Sequence, residues 1–205
     1  SSNGRDANRE IGTPDVPIVI TLPHSLNNNI FSIRDNGLGI TPHRMSNVFI
    51  KFCASTKRES DEQTGGYGYG AKTPWAYGDQ FTIVSVTPEH LFEDQTGELH
   101  EECRVRREYI AYIDETRLGK MALVNEAATL EEQGTTIIIA VKESDTREFQ
   151  NWVIDRLKYW SVRPVILGNS TFEWPKINKK FEGKDGKWFI AGEQYGISFS
   201  FLLID

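Results

Sequence analysis

The chain has little cysteine, no long apolar run and no excess of positive charge. Only Cys53 and Cys103 occur among 205 residues, without a Cys-x-x-Cys spacing or a histidine partner pattern. That excludes a disulfide framework and a thiolate zinc site, and a reducing cytosol suits the chain best. His24, His43, His90 and His100 are scattered without metal-ligand spacing, so each reads as a surface or hydrogen-bonding histidine. No apolar stretch reaches the roughly 20 residues needed to cross a bilayer, and no signal peptide or lipidation motif is visible. A net charge of −6 argues against broad attraction to nucleic acid, and Lys176, Lys179 and Lys180 read as a solvated face. Repeats and low-complexity stretches are absent as well. With 39% hydrophobic and 25% charged residues, what remains is an ordinary globular composition. The first residue is Ser1 rather than Met, which sets the expectation that the natural N-terminus lies upstream.

Residues 4–9 read as the end of a helix stopped by Gly12 and Pro14. Residues 16–22 and 30–34 are β-branched and apolar, and Asn27-Asn28-Asn29 between them predicts a hairpin leading into Asp35. Thr41-Pro42 has the form of an N-cap with proline at the first helical position, with Met45, Val48, Phe49 and Phe52 at helical spacing behind it. The polar run 55–64 predicts a mobile loop. Further strands are expected over 80–87, 109–113, 121–125 and 135–141, and their short connections predict a mostly antiparallel sheet. Asp145 or Thr146 caps a helix whose Phe149, Trp152, Val153, Leu157 and Trp160 form an apolar stripe ending before Pro164. Two last strands are expected over 187–191 and 196–204. The organisation expected is one main domain over 1–165 and the beginning of a second over 166–205.

Two glycine-bearing runs carry the chemistry. In Asp35-Asn36-Gly37-Leu38-Gly39-Ile40 a carboxylate at a strand end can accept from an exocyclic amine, while the glycines let a flat base approach the backbone. In Gly66-Tyr67-Gly68-Tyr69-Gly70-Ala71-Lys72 several backbone N–H groups can curl around a polyphosphate. A Walker P-loop is excluded because Ala71 separates Gly70 from Lys72, and a dinucleotide fingerprint because Gly66, Gly68 and Gly70 lack its spacing and preceding strand. Each run also has a plainer reading. Asn36-Gly37 suits a hairpin turn, Gly66 to Gly70 a loop-to-helix turn, Gly134-Thr135 a turn entering a strand, and Asn3 a helix end.

Taken in order, Asn3 and Asp6, then 35–40, then Gly66 to Lys72, then Gly134-Thr135-Thr136 resemble the four successive boxes of the GHKL ATPases: gyrase, heat-shock chaperone, histidine kinase and MutL. Ala54-Ser55-Thr56-Lys57 and the stretch 156–165 look most like the heat-shock chaperone branch. Ser-Thr-Lys-Arg followed by Gly-Gly-Tyr-Gly-Tyr-Gly-Ala-Lys-Thr-Pro-Trp-Ala-Tyr resembles the rIIA rapid-lysis proteins of tailed phages.

The resemblance implies an α/β two-layer sandwich, a mixed and mainly antiparallel sheet covered by helices on one face, binding ATP and Mg²⁺. By the same resemblance Asn3 holds Mg²⁺, Asp6 lies beside the base pocket, Asp35 accepts from the adenine amino group and Gly39 closes onto the ring. Thr135 bonds near adenine through water, Gly66, Gly68 and Gly70 wrap the phosphates, and Lys72 adds charge. Gly37, Ile40, Ser55, Lys57 and Ala71 complete the nucleotide-contacting set. The family's general-base glutamate falls four residues before the asparagine, upstream of Ser1, so this chain is expected to bind ATP and hydrolyse it poorly. A nucleotide-gated lid, a homodimer and a role in phage infection with a protein partner, in the host cytoplasm or peripheral to its inner membrane, complete the expectation. Direct nucleic-acid binding does not form part of it. Other readings stay open: an interaction module with a vestigial site, a histidine kinase catalytic domain, and a gyrase- or MutL-like DNA-handling ATPase.

Overall fold

The computed structural model describes residues 2–46, 74–177, 179–182, 188–193 and 196–203. Seven strands form one sheet: β1 (Val19–Thr21), β2 (Ile30–Arg34), β3 (Gln80–Glu93), β4 (Leu99–Ile113), β5 (Gly119–Thr129), β6 (Gly134–Ala140) and β7 (Val165–Leu167). Their spatial order is β5-β4-β3-β6-β2-β1-β7. Every neighbouring pair is antiparallel except β1 with β7. Among the described residues three α-helices accompany the sheet, α1 (Ser2–Glu10), α2 (Pro42–Arg44) and α3 (Thr146–Leu157). The expected α/β arrangement of a mixed, mainly antiparallel sheet with helices is therefore present. A separate three-stranded sheet has the order β10-β9-β8, from β8 (Lys179–Glu182), β9 (Trp188–Glu193) and β10 (Gly196–Leu203). β8 was not anticipated, because its lysines read as a solvated face.

The core follows from strand alternation. Ile83 stands opposite both Tyr109 and Ile137, Phe31 opposite Ile139, and Ile20 opposite Ile33, so one face of the sheet carries a continuous apolar surface. Val153 and Leu157 of α3 are buried in the same cluster. Phe149 joins it with its ring edge-on to Phe31 and Tyr77, at centroid distances of 5.1 and 4.9 Å. The stripe expected on α3 is thus the i, i+4, i+8 set, and Trp152, at 47% exposure, falls outside it. Tyr77 ties the segment before β3 to the start of α3: its hydroxyl donates to Asp145 Oδ2 at 2.8 Å and accepts from Lys142 N at 2.9 Å. Burial pushes the Tyr77 hydroxyl pKa up, while bonds from Ser144 and Tyr77 hold the Asp145 carboxyl below its ordinary range.

Thr41 caps α2 as expected, accepting from Arg44 N at 3.3 Å, and Met45 behind it is buried. The positions of Val48, Phe49 and Phe52, and the loop expected over 55–64, lie outside the described residues. β3 and β4 run well past the spans expected for them. Their outer halves are largely polar, so alternation gave no apolar face to detect, although Phe92 is buried against the His100 ring. β5 is an edge strand, and its register against β4 shifts between Glu108 and Tyr109, leaving a bulge in the middle of the pair.

The turns closing the β3–β4 and β4–β5 hairpins are built alike. Asp94 Oδ1 accepts from Thr96 N, Thr96 Oγ1 and Glu98 N at 2.8, 2.7 and 3.0 Å. Asp114 Oδ1 accepts from Thr116 N, Thr116 Oγ1 and Leu118 N at 2.9, 2.6 and 3.2 Å. The left-handed position is Gly97 in the first turn, at φ 84°, and Arg117 in the second, at φ 63°. Arg117→Gly is therefore expected to stabilise the fold by about 0.5–1 kcal/mol, while Gly97→Arg destabilises it, read from urea midpoints. Both aspartates are held below the ordinary carboxyl value of 3.8, in each case mainly by the bond from the turn threonine. A depressed folded pKa contributes stability that is present above 3.8 and lost as pH falls below it. Protection of the Thr96 and Thr116 amides, relative to their intrinsic exchange, should accordingly fall on acidification through that window. Unchanged protection down to complete protonation would exclude the aspartates as the staples of these turns.

Candidate functional site

At the end of β2 the chain enters the 35–40 loop, and four elements meet there. Asp35 N donates to Thr135 O at 2.9 Å, and Thr135 N donates back to the Asp35 side chain at Oδ1, 3.0 Å away. Gly37 N donates to the same oxygen at 3.0 Å. One carboxylate oxygen is thus fixed by two backbone amides, which orients the group at the sheet end. Thr135 is itself 8% exposed and stands opposite Ser85 of β3 in the register.

Helix α1 lies against this strand end through its small residues. A Cβ at Gly4 would come 3.2 Å from Ile18 Cγ2 and 3.3 Å from Asp35 Cβ, and one at Gly37 would come 2.7 Å from Ala7 Cβ. Helix and loop therefore touch through Gly4, Ala7 and Gly37. Asp6 is fully buried on the same helix, with Arg9 Nη1 at 3.9 Å from its Oδ1. Asn3 is partly exposed one turn earlier.

Asn8, 1% exposed, fastens the loop to the helix: its Oδ1 accepts from Asn36 N at 2.8 Å and its Nδ2 donates to Val16 O at 2.8 Å. At the other end of the loop, Ser85 Oγ accepts from Ile40 N at 2.7 Å and donates to Ile40 O at 3.0 Å. Between these fixings Gly39 has φ 75°, and a Cβ there would meet Val86 O at 2.4 Å, Thr87 Cγ2 at 2.9 Å and Ser85 Oγ at 3.0 Å. Gly134 has φ 144°, and a Cβ on it would fall 2.2 Å from Asp35 O. Both glycines are required by backbone conformation and by the close approach of neighbouring chain, whatever else they contact.

Next to Ser85 on this face is a buried ionic group. Arg107, 6% exposed, donates to Glu89 Oε1 at 2.8 Å, to Thr87 Oγ1 at 2.9 Å and to Glu126 Oε2. Burial works against its charge, but Glu89 and Glu126 outweigh that and raise its pKa. Thr87 Oγ1 in turn donates to Glu89 Oε1 at 3.1 Å.

Of the residues expected to form a site, Asp35, Gly37, Gly39, Ile40 and Thr135 come together here, and Asn3 and Asp6 lie on the helix packed against them. Ser55, Lys57, Gly66, Gly68, Gly70, Ala71 and Lys72 lie outside the described residues. Gly4, Asn8, Ser85 and Thr87 were missed. Three of the four had a sequence signal, since Asn8 is a poor helix former inside a helix and Ser85 and Thr87 are polar at the core-facing parity of Phe81 and Ile83.

Chemically, the arrangement offers an oriented carboxylate beside a partly buried, glycine-bearing loop, the elements needed to recognise a donor-bearing planar ring. Comparison with protein families gives a match over residues 2–129 to the family described as histidine kinase-, DNA gyrase B- and HSP90-like ATPase. No curated protein matches the chain. The site's architecture depends on Asn8, so Asn8→Ala should lower unfolding free energy by about 2–3 kcal/mol, because Asn36 N–H and Val16 C=O both lose buried partners. Urea denaturation checks this. A loss below about 0.5 kcal/mol would show that the helix and loop hold together without it.

Proposed function

Because the chain belongs to the histidine kinase-, DNA gyrase B- and HSP90-like ATPase family, we propose that it binds ATP with Mg²⁺ where α1, the 35–40 loop and Thr135 converge. The observation that carries this is the Asp35 carboxylate, held at the strand end by the amides of Gly37 and Thr135. Held in that way the group is directional, suited to accept from the adenine amino group. Asn3 offers an amide oxygen of the kind Mg²⁺ accepts, and Asp6 lies close by on the same helix face. Gly66, Gly68, Gly70, Ala71 and Lys72, with Ser55 and Lys57, are assigned the phosphate side on the strength of the motif resemblance. ATP bound to this cation supplies a phosphoanhydride to be cleaved, and the residues above bind and orient it.

Closure of a lid over the nucleotide and pairing of two copies belong to the same proposal, supported by family membership. The nucleotide then serves as a conformational switch. The biological setting we propose is phage infection, in control of lysis or in exclusion of other phages, and it rests on the likeness of 55–77 to the rapid-lysis proteins. A protein partner and a position in the host cytoplasm or at the inner membrane's surface go with that setting. No helix among the described residues is long and apolar enough to cross a membrane.

Asp35→Asn tests the core of the reading. It keeps the shape but removes the charge, and should cost about 1.5–3 kcal/mol of ATP affinity by calorimetry. A folded variant that binds ATP as tightly as the parent chain would remove Asp35 from the site.

A further inference from the structure

The residues assigned to the base lie on a loop that hangs from two points, and the second of these is a single hydroxyl. Ser85 bonds both backbone groups of Ile40, as acceptor from N at 2.7 Å and donor to O at 3.0 Å. It is 1% exposed and projects from the middle of β3 at the register position facing Thr135 and Arg107. A serine so buried, using its one proton and a lone pair on one residue of a loop, fixes that residue's distance from the sheet. The adjacent Gly39 is thereby held in its left-handed conformation against Val86 O and Thr87.

Thr87 completes the seat. Its methyl faces Gly39, because its hydroxyl is occupied on the other side by Arg107 and Glu89. Arg107, locked between Glu89 and Glu126, keeps that rotamer from turning. From these contacts we infer that Ser85 is a positioning residue for base recognition, with Thr87 as the wall behind it. Ser85 sets where Gly39 and Ile40 lie, and through the short 35–40 loop it keeps Gly37 N on Asp35 Oδ1, so the carboxylate keeps its aim. The inference rests on the assignment of Asp35 to the adenine amino group.

The experiment compares two ligands that differ only in the group Asp35 would accept from: ATP, and purine riboside triphosphate, which lacks the 6-amino group. Their affinities are measured with Mg²⁺ for the parent chain, Ser85→Ala and Asp35→Asn, with circular dichroism to confirm folding. The parent should prefer ATP by about tenfold, the size of one hydrogen bond to a charged group, and Ser85→Ala should reduce that preference to near one. A generally destabilised protein would weaken both ligands together and keep the ratio, and that result overturns the inference. A parent chain that does not distinguish the two ligands, with Asp35→Asn equal to it, overturns the assignment of Asp35 and the inference with it. Should Ser85→Ala not fold, Ser85→Cys serves for the same ratio, being of similar size with only a weak donor and acceptor.

Discussion

Asp35 and Thr135 exchange two hydrogen bonds across one hundred residues of chain, one through the backbone and one through the carboxylate. The geometry around them depends on that exchange. It ends β2 at a fixed place on β6, and since β6 pairs on its other side with β3, it also fixes Ser85 and Thr87 beneath the loop. Gly134 must lack a side chain for Asp35 O to come so close. The loop is short enough that, once its first residue is placed, hydrogen bonds at Asn36 and Ile40 determine the rest.

The polar end and the apolar body of the inner face are continuous. Going along β3, Phe81 and Ile83 belong to the core, Ser85 and Thr87 to the loop seat, and Glu89 to the ionic group. Side chains alternate strictly, so no rearrangement of the strand is needed to pass from packing to recognition. Arg107 is held by two carboxylates as well as Thr87, and such a group is costly to dismantle one partner at a time. Its presence gives rigidity beneath a loop that has no secondary structure of its own.

Much of this was legible in the chain. Most strands with an apolar face showed, though β7, only three residues long, was not expected despite Ile166 packing on the core; α3 showed through Phe149, Val153 and Leu157, and the Thr41-Pro42 cap is where its residues put it. The meeting of Asp35 with Thr135 followed from the ordered motifs rather than from periodicity. What escaped notice was polar and inward: the signals at Asn8, Ser85 and Thr87 were single polar residues in otherwise regular elements, and only the packing of α1 and the register of β3 turn them inward. The far halves of β3 and β4 escaped for the opposite reason, since solvent on both sides leaves no alternation to read. Trp152 was misplaced because helical spacing admits both i+3 and i+4 neighbours, and the sheet accepts only one of those rows.

The bulge in β5 bears on how the molecule behaves in a crowd. β5 closes one side of the seven-stranded sheet and carries Leu123 and Val124, each 50% exposed, on a row of outward-facing amides. A straight strand of that composition would be a template for another chain. Because the register slips between Glu108 and Tyr109, the row is broken into two short segments that are out of phase with one another. An incoming strand that matches one segment has its side chains on the wrong face for the other, so the bulge opposes growth of a ribbon from this edge.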